Sequence, residues 1–201
     1  MKLAHIPLVL IGLSLVGCGS GRDDVEQPKF KEVLKDGDFS IREYPEMTLA
    51  QTKMGEDGQR NGVFGKLFRY IDSGNAEQQK IEMTSPVLID TEEKDEDFQP
   101  EAMSFILPAD VAAKGGPAPD NEDVTLVKIP ATTYAVYSYS GEASTKLSNE
   151  GLTKLREWLA KNHPERKIDG EPRFAYYDPP WTPNALRLNE VLLPLKAEKK
   201  E

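Results

Sequence analysis

"IREYPEMTLAQ", residues 41–51, and "LVKIPATTYAV", residues 126–136, are two renderings of one pattern. Aligned, they match Pro45 with Pro130, Thr48 with Thr133 and Ala50 with Ala135. In the first copy the strand-like stretches Phe39–Tyr44 and Thr48–Lys53 flank a proline, which has no N–H for a ladder and so separates strands. A helical period follows each copy. In the first, Phe64, Leu67, Phe68 and Ile71 recur at i, i+3, i+4 and i+7, with Asn61 placed as N-cap and Gly74 where a helix would stop. In the second, "STKLSNEGLTKLREWLAKNHP" (144–164) puts Leu147, Gly151, Leu155, Trp158 and Leu159 on one stripe. Two more strand-like runs follow each helix: 80–90 and 102–108, then 173–178 and 186–194. Leu107-Pro108 closes the first set and Leu193-Pro194 the second. The three identities are weak alone; the repeated order strand–strand–helix–strand–strand makes them a repeat.

The implied fold is α+β: a pseudo-twofold duplicated domain with one antiparallel sheet system and two helices packed on it. Neither half has enough sheet to cover its own helix. Residues 31–197 are therefore expected to form a single domain, with halves at about 31–115 and 120–197. "AAKGGPAPDNED" (112–123) links them, and "TEEKDEDFQPE" (91–101) reads as a solvated acidic hairpin loop.

The start of the chain is of another kind. Lys2, then an apolar run from Ile6 to Val16, then small residues describe a signal peptide over residues 1–17, too short to span a bilayer comfortably. Its end, Leu15-Val16-Gly17-Cys18, has the pattern of a bacterial lipobox, in which the cysteine is lipidated and becomes the new N-terminus. Cys18 is the single cysteine, which leaves no intrachain disulfide and no thiolate metal cluster. Residues 18–30 read as a lipidated tether. Gly19, in place of an aspartate, points to the outer membrane, facing the periplasm. With 25 Lys and Arg against 34 Asp and Glu, the formal charge is -9, and no basic stripe is present. Nucleic acid is excluded as an expected partner.

Near the C-terminus, "LRLNEVLLP" alternates from Leu186, placing Glu190 on one face with Leu186, Leu188 and Leu192. An ionised carboxylate buried alone is costly by several kcal/mol or more. Either Glu190 is paired, for instance with Arg173 or Arg156, or it lines a cavity that a ligand enters.

"GVFGKLFRYIDSGNAEQQKIEMTSPV" (62–87) resembles the signature of the SOUL haem-binding protein family. The likeness continues through "FILP" (105–108), "GPAPDNEDV" (116–124), "YAVYSYSG" (134–141) and "WTPNALRLNEV" (181–191), and so covers about Lys31 to Leu195. The resemblance implies a distorted β-barrel of two repeated halves with two flanking helices. It also implies kinship with gyrase-inhibitor-like effector-binding domains, which hold aromatic or cationic molecules in a groove with a glutamate in the last repeat. Glu190 is the position carried over. Tetrapyrroles are held in members without an axial histidine by apolar contacts and by basic residues near the propionates. Phe64, Leu67, Phe68 and Met83, with Tyr176, Trp181 and Arg187, are the residues here that such a site would draw on. Of the two histidines, His5 lies in the signal peptide and His163 at the end of the second helix, so haem is expected without an axial histidine, and no metal-ligating set is assigned.

For function, the expectation is a lipid-anchored envelope protein binding haem, another tetrapyrrole or a flat apolar ligand. The alternative is a protein that binds or hydrolyses a cationic or aromatic small molecule, centred on Glu190 with Tyr176 or Tyr177. GxSxG, HExxH, phosphate-loop and CxxC motifs do not occur, which places binding ahead of catalysis.

Overall fold

The computed structural model describes residues 21–55, 60–94 and 97–197. The signal peptide and Cys18 lie outside the described residues. Among the described residues nine strands form one antiparallel sheet: β1 (Lys31–Asp36), β2 (Phe39–Tyr44), β3 (Met47–Lys53), β4 (Val87–Lys94), β5 (Asp97–Ile106), β6 (Thr125–Ile129), β7 (Thr132–Tyr139), β8 (Arg173–Tyr176) and β9 (Asn189–Leu195). Three α-helices accompany it: α1 (Arg60–Ile71), the single turn α2 (Ala109–Ala112) and α3 (Thr145–Asn162). The strand order is β1-β2-β7-β9-β8-β4-β5-β3-β6. Exchanging β2–β5 for β6–β9 reverses the eight positions after β1 onto themselves.

β2 and β3 lie near opposite ends of this order, yet only Pro45 and Glu46 separate them. Three Cα steps reach roughly 11 Å. The sheet must therefore curl until its ends approach each other, and the Pro130-Ala131 turn between β6 and β7 imposes the same bend. It does not close into the expected barrel. β1 pairs with the outer edge of β2, the edge that β6 would need, so β1 and β6 remain the two ends of the sheet.

The curled sheet has two buried faces. Ile41, Ala50, Ile89, Phe105, Val191 and Leu193 point outward and pack under the helices, α1 on β3 and β5, α3 on β7, β9 and β5. Tyr44, Leu49, Leu88, Tyr134, Val136 and Leu192 form a second cluster on the concave face. β9 accordingly is buried on both sides, not on the leucine side alone. It starts at Asn189; Leu186 belongs to a 3-10 turn and is 63% exposed. The acidic segment 91–101 is also less loop than its charges suggested, because β4 runs on to Lys94 and β5 begins at Asp97.

On α1 the buried stripe is Val63, Leu67, Tyr70 and Ile71, one position round from the expected one. Phe64 and Phe68 consequently face outward. Arg60 is already helical, so Asn61 falls inside the helix and not at its cap. Gly74 does end it. Its N–H donates to the Arg69 carbonyl at 2.8 Å, and a Cβ there would sit 2.6 Å from that same oxygen. Asn75, fully buried, then donates to the Tyr70 and Gln79 carbonyls and accepts from the Gln79 N–H, which locks the turn.

Candidate functional site

The concave face carries Glu190, 2% exposed, at the centre of a closed polar cluster. The register sets it opposite Ser138 on β7 and Ala175 on β8. The Arg42 Nη1 donates to both carboxylate oxygens at 3.0 and 3.1 Å, the Ser138 hydroxyl to Oε1 at 2.9 Å and the Tyr177 hydroxyl to Oε2 at 2.7 Å. Glu190 is thus paired. The partner is Arg42, which neither sequence candidate anticipated: Arg173 instead pairs with Asp90 and donates to the Tyr134 hydroxyl at 2.8 Å, and Arg156 lies over the Phe98 ring. Burial disfavours the charge on Arg42, but the Glu190 carboxylate together with the Tyr44 and Tyr177 hydroxyls outweighs it, and the arginine pKa rises. Burial, then the charge of Glu190, pushes the Tyr177 phenol well above its ordinary value and Tyr44 up to about 12. The cluster therefore comprises one carboxylate, one guanidinium and neutral phenols that can only donate or accept. A ligand cation would find its place already taken by Arg42.

Tyr176 cannot act with Glu190. Adjacent strand residues point to opposite faces, and Tyr176 pairs with Asn189 while Ala175 pairs with Glu190. The Tyr176 hydroxyl lies instead on the helix side, 3.0 Å from the Ser148 hydroxyl, which also meets Tyr139 at 2.7 Å.

That outer face holds the other expected residues. Phe105, Val87 and Tyr176 are cross-strand neighbours in one row. Phe64 meets Phe105 edge-on, centroids 5.1 Å apart, and stacks with Phe68 at 6.3 Å and 16°. Phe64 is 38% and Phe68 49% exposed. The Arg60 guanidinium lies 5.4 Å over the Tyr176 ring, held by the Ala143 carbonyl and the Thr145 hydroxyl. No carboxylate among the described residues meets its charge. Two glycines flank Phe64 on the helix. A Cβ at Gly62 or Gly65 would touch nothing within 4 Å, whereas one at Gly151 on α3 would come 3.1 Å from the Tyr137 ring. Close packing on the sheet accounts for Gly151. Among the described residues no contact accounts for Gly62 and Gly65, although glycine within a helix costs about 1 kcal/mol relative to alanine.

Of the other expected residues, Leu67 is fully buried beneath α1 and forms core, and Met83 packs half-buried against the same core. Trp181 stands apart at 84% exposure. Arg187 is occupied with its own loop, Nε donating to the Thr182 carbonyl at 2.7 Å and Nη2 to that of Pro180. His163 terminates α3, beside Trp158 and 3.6 Å from Glu165. Fifteen residues of helix, about 22 Å, separate it from Ser148 and hence from the Tyr176 end of the face. The residues around Phe64 and Phe68 so fit the apolar plane and acidic edge of a macrocycle, while His163 is out of reach of an iron there.

A recess of about 1060 Å³ also opens beside the Pro45 and Pro130 turns, with Phe30, Tyr44, Tyr134 and Arg173 among its walls. None of the residues expected from the sequence lines it. Its tyrosines are buried and Arg173 is paired, while Phe30 and Val33 on its wall are about as exposed as the two phenylalanines of α1.

The SOUL heme-binding protein family matches the chain over residues 25–194. No curated protein matches it. Among solved structures, the EcmrR C-terminal domain superposes with a TM-score of 0.56 at 14% identity, over 80% of this chain and 98% of that one. A hydrolase from Listeria innocua gives a TM-score of 0.54 at 15% identity, over 82% of this chain and 94% of that one. At these identities the likeness is one of fold.

Proposed function

The chain belongs to the SOUL heme-binding protein family, and from that premise we propose a lipid-anchored envelope protein that binds haem or another tetrapyrrole on the outer face of α1. One observation carries the choice of site: the stacked, exposed pair Phe64 and Phe68 beside two glycines that packing does not require. The pair offers an aromatic surface, and Gly65 leaves the adjoining helix backbone open to a flat ring. Stacking geometries of this kind contribute about 0.5–1.5 kcal/mol per aromatic pair beyond area burial. Arg60 supplies a charge for a propionate. Bound haem would bring its iron to this surface; the residues named hold and orient the ring. The duplication of the domain belongs to the same reading, supported by the self-reversing strand order. Lipid attachment at Cys18 and an outer-membrane location, facing the periplasm, rest on the lipobox and on Gly19.

The decisive test compares haemin with metal-free protoporphyrin by absorbance titration. With recognition carried by the ring and its carboxylates, the two should bind with affinities within about threefold, or ~0.7 kcal/mol, and His163→Ala should leave the haem spectrum unchanged. Haemin binding far tighter, with a low-spin spectrum that His163→Ala abolishes, would make His163 the ligand and refute this site. Lipid attachment is checked separately: mass spectrometry of the N-terminal peptide should find Cys18 acylated, and Cys18→Ser should remove the modification.

A further inference from the structure

The loop between β8 and β9 carries the most exposed large apolar side chains described, Trp181 at 84% and Leu186 at 63%. It does not collapse onto the core because it is braced from within. Arg187 holds the Thr182 and Pro180 carbonyls, the Leu188 N–H donates to Asp178 at 2.7 Å, and the Leu186 N–H donates to the Pro183 carbonyl at 2.8 Å. Three prolines, Pro179, Pro180 and Pro183, stiffen it further. Trp181 is thus presented at a fixed tip.

The loop is also tied to the start of the chain. The Arg22 Nη1 donates to Asp178 Oδ2 at 2.7 Å and to the Leu186 carbonyl at 3.1 Å. Gln27 donates to the Arg22 carbonyl at 3.0 Å, which fixes that end. Arg22 is four residues from Cys18. Four residues span at most about 14 Å, and each headgroup layer of a bilayer is about 5–8 Å deep. If Cys18 carries the acyl chains, the loop is held at the membrane surface by chain length alone. Its chemistry suits that position. Tryptophan favours the membrane–water interface, where its ring is buried and its N–H stays wet. From Pro179 to Asn189 there is no carboxylate, in a chain with 34 Asp and Glu, so the loop itself sets no negative charge against an anionic phospholipid, although Asp23 and Asp24 follow Arg22 in the chain.

We infer that the Trp181–Leu186 loop is a second membrane contact, inserting at the lipid interface beside the acylated N-terminus and fixing how the domain stands on the bilayer. This rests on the lipoprotein reading of Cys18 and is independent of the ligand face on α1. The test uses the full acylated protein in vesicles of phosphatidylethanolamine and phosphatidylglycerol with brominated acyl chains. Trp158, the other tryptophan, is buried and bonded to Asp36, so the difference between the parent and Trp181→Phe isolates the emission of Trp181. That component should shift to the blue and lose most of its intensity to the bromines. If mass spectrometry finds Cys18 acylated but Trp181 emits as in water and is quenched only by aqueous acrylamide, the loop contact is refuted and the lipoprotein reading stands. If Cys18 carries no lipid, both fall together.

Discussion

The two faces of the curled sheet dispose of their difficult residues in opposite ways. On the concave face a carboxylate and a guanidinium are buried, and every bond that Glu190 needs comes from Arg42, Ser138 and Tyr177. On the convex face, α1 leaves two stacked phenylalanines in solvent beside two glycines without a packing role. The buried charge is the more conspicuous feature in the sequence, but the carboxylate's demands are met within the protein, although Arg42 Nε is left without a hydrogen-bond partner among the described residues. The exposed rings are ordinary in the sequence and unmet in the structure. A binding site is better sought where surface is left over than where an unusual residue has found its partners.

The largest expected effect falls on the concave side. Glu190→Gln leaves Arg42 buried without a counter-charge, and breaking such a pair costs about 3–5 kcal/mol. Denaturant unfolding should show that loss, and Arg42→Met combined with Glu190→Leu should recover most of it. A single variant as stable as the parent would mean that the cluster is loose enough to admit a ligand cation, and the contrast between the faces would collapse.

Alkaline pH probes the same cluster, together with Tyr70 and Tyr139, whose phenols burial also raises. Tyr177 is raised by burial and then by Glu190, and Tyr44 is raised for the same reasons to about 12. The folded protein therefore keeps protons that the unfolded chain sheds above pH 10. Stability is complete below about pH 10 and falls as the pH rises toward the folded-state values, by about 1.4 kcal/mol per pH unit for each retained proton. Unfolding measured between pH 9 and 11 should show the decline, and Tyr177→Phe should make it shallower. A flat profile would contradict the closed, desolvated cluster.

The convex side should respond in the opposite sense. Gly65→Ala meets open space and restores helix propensity, so stability should rise by about 0.5–1 kcal/mol while porphyrin affinity falls. A stability gain with affinity unchanged would remove the glycine from the binding surface.

Much of this fold was legible in the sequence, for physical reasons that also mark the limit. The matching prolines at 45 and 130, and the helical periods after them, are local signals, and most strands and both long helices fall where they point. The run over 80–90, however, is a strand only from Val87, and that from Leu186 only from Asn189. The turn at Gly74-Asn75 was legible because a Cβ there has no room. Long-range pairing was not. Arg42 lies 148 positions from Glu190, and nothing local marks it among 25 cationic residues except its alternation with Ser40 and Tyr44 on one face of β2. Hydrophobicity alone sets the stripe of α1 one residue off, because Phe64 and Phe68 are as apolar as Val63 and Tyr70, and apolarity cannot tell a buried ring from an exposed one. Tyr176 and Glu190 were grouped as chemistry, although their parity within paired strands sets them on opposite sides of the sheet. β1, whose exposed residues show little apolar alternation, went unread, and it is the strand that keeps the barrel open.

The most direct measurement of the ligand surface is the double variant Phe64→Ala with Phe68→Ala, titrated with protoporphyrin and unfolded in denaturant side by side. Phe64 packs edge-on against Phe105 and both side chains are partly in solvent, so stability should fall only modestly, by about 1–2 kcal/mol, while affinity for the porphyrin should drop at least about tenfold, or ~1.4 kcal/mol. A variant that binds the porphyrin as the parent does would contradict the α1 site and move the search to the recess beside Pro45 and Pro130.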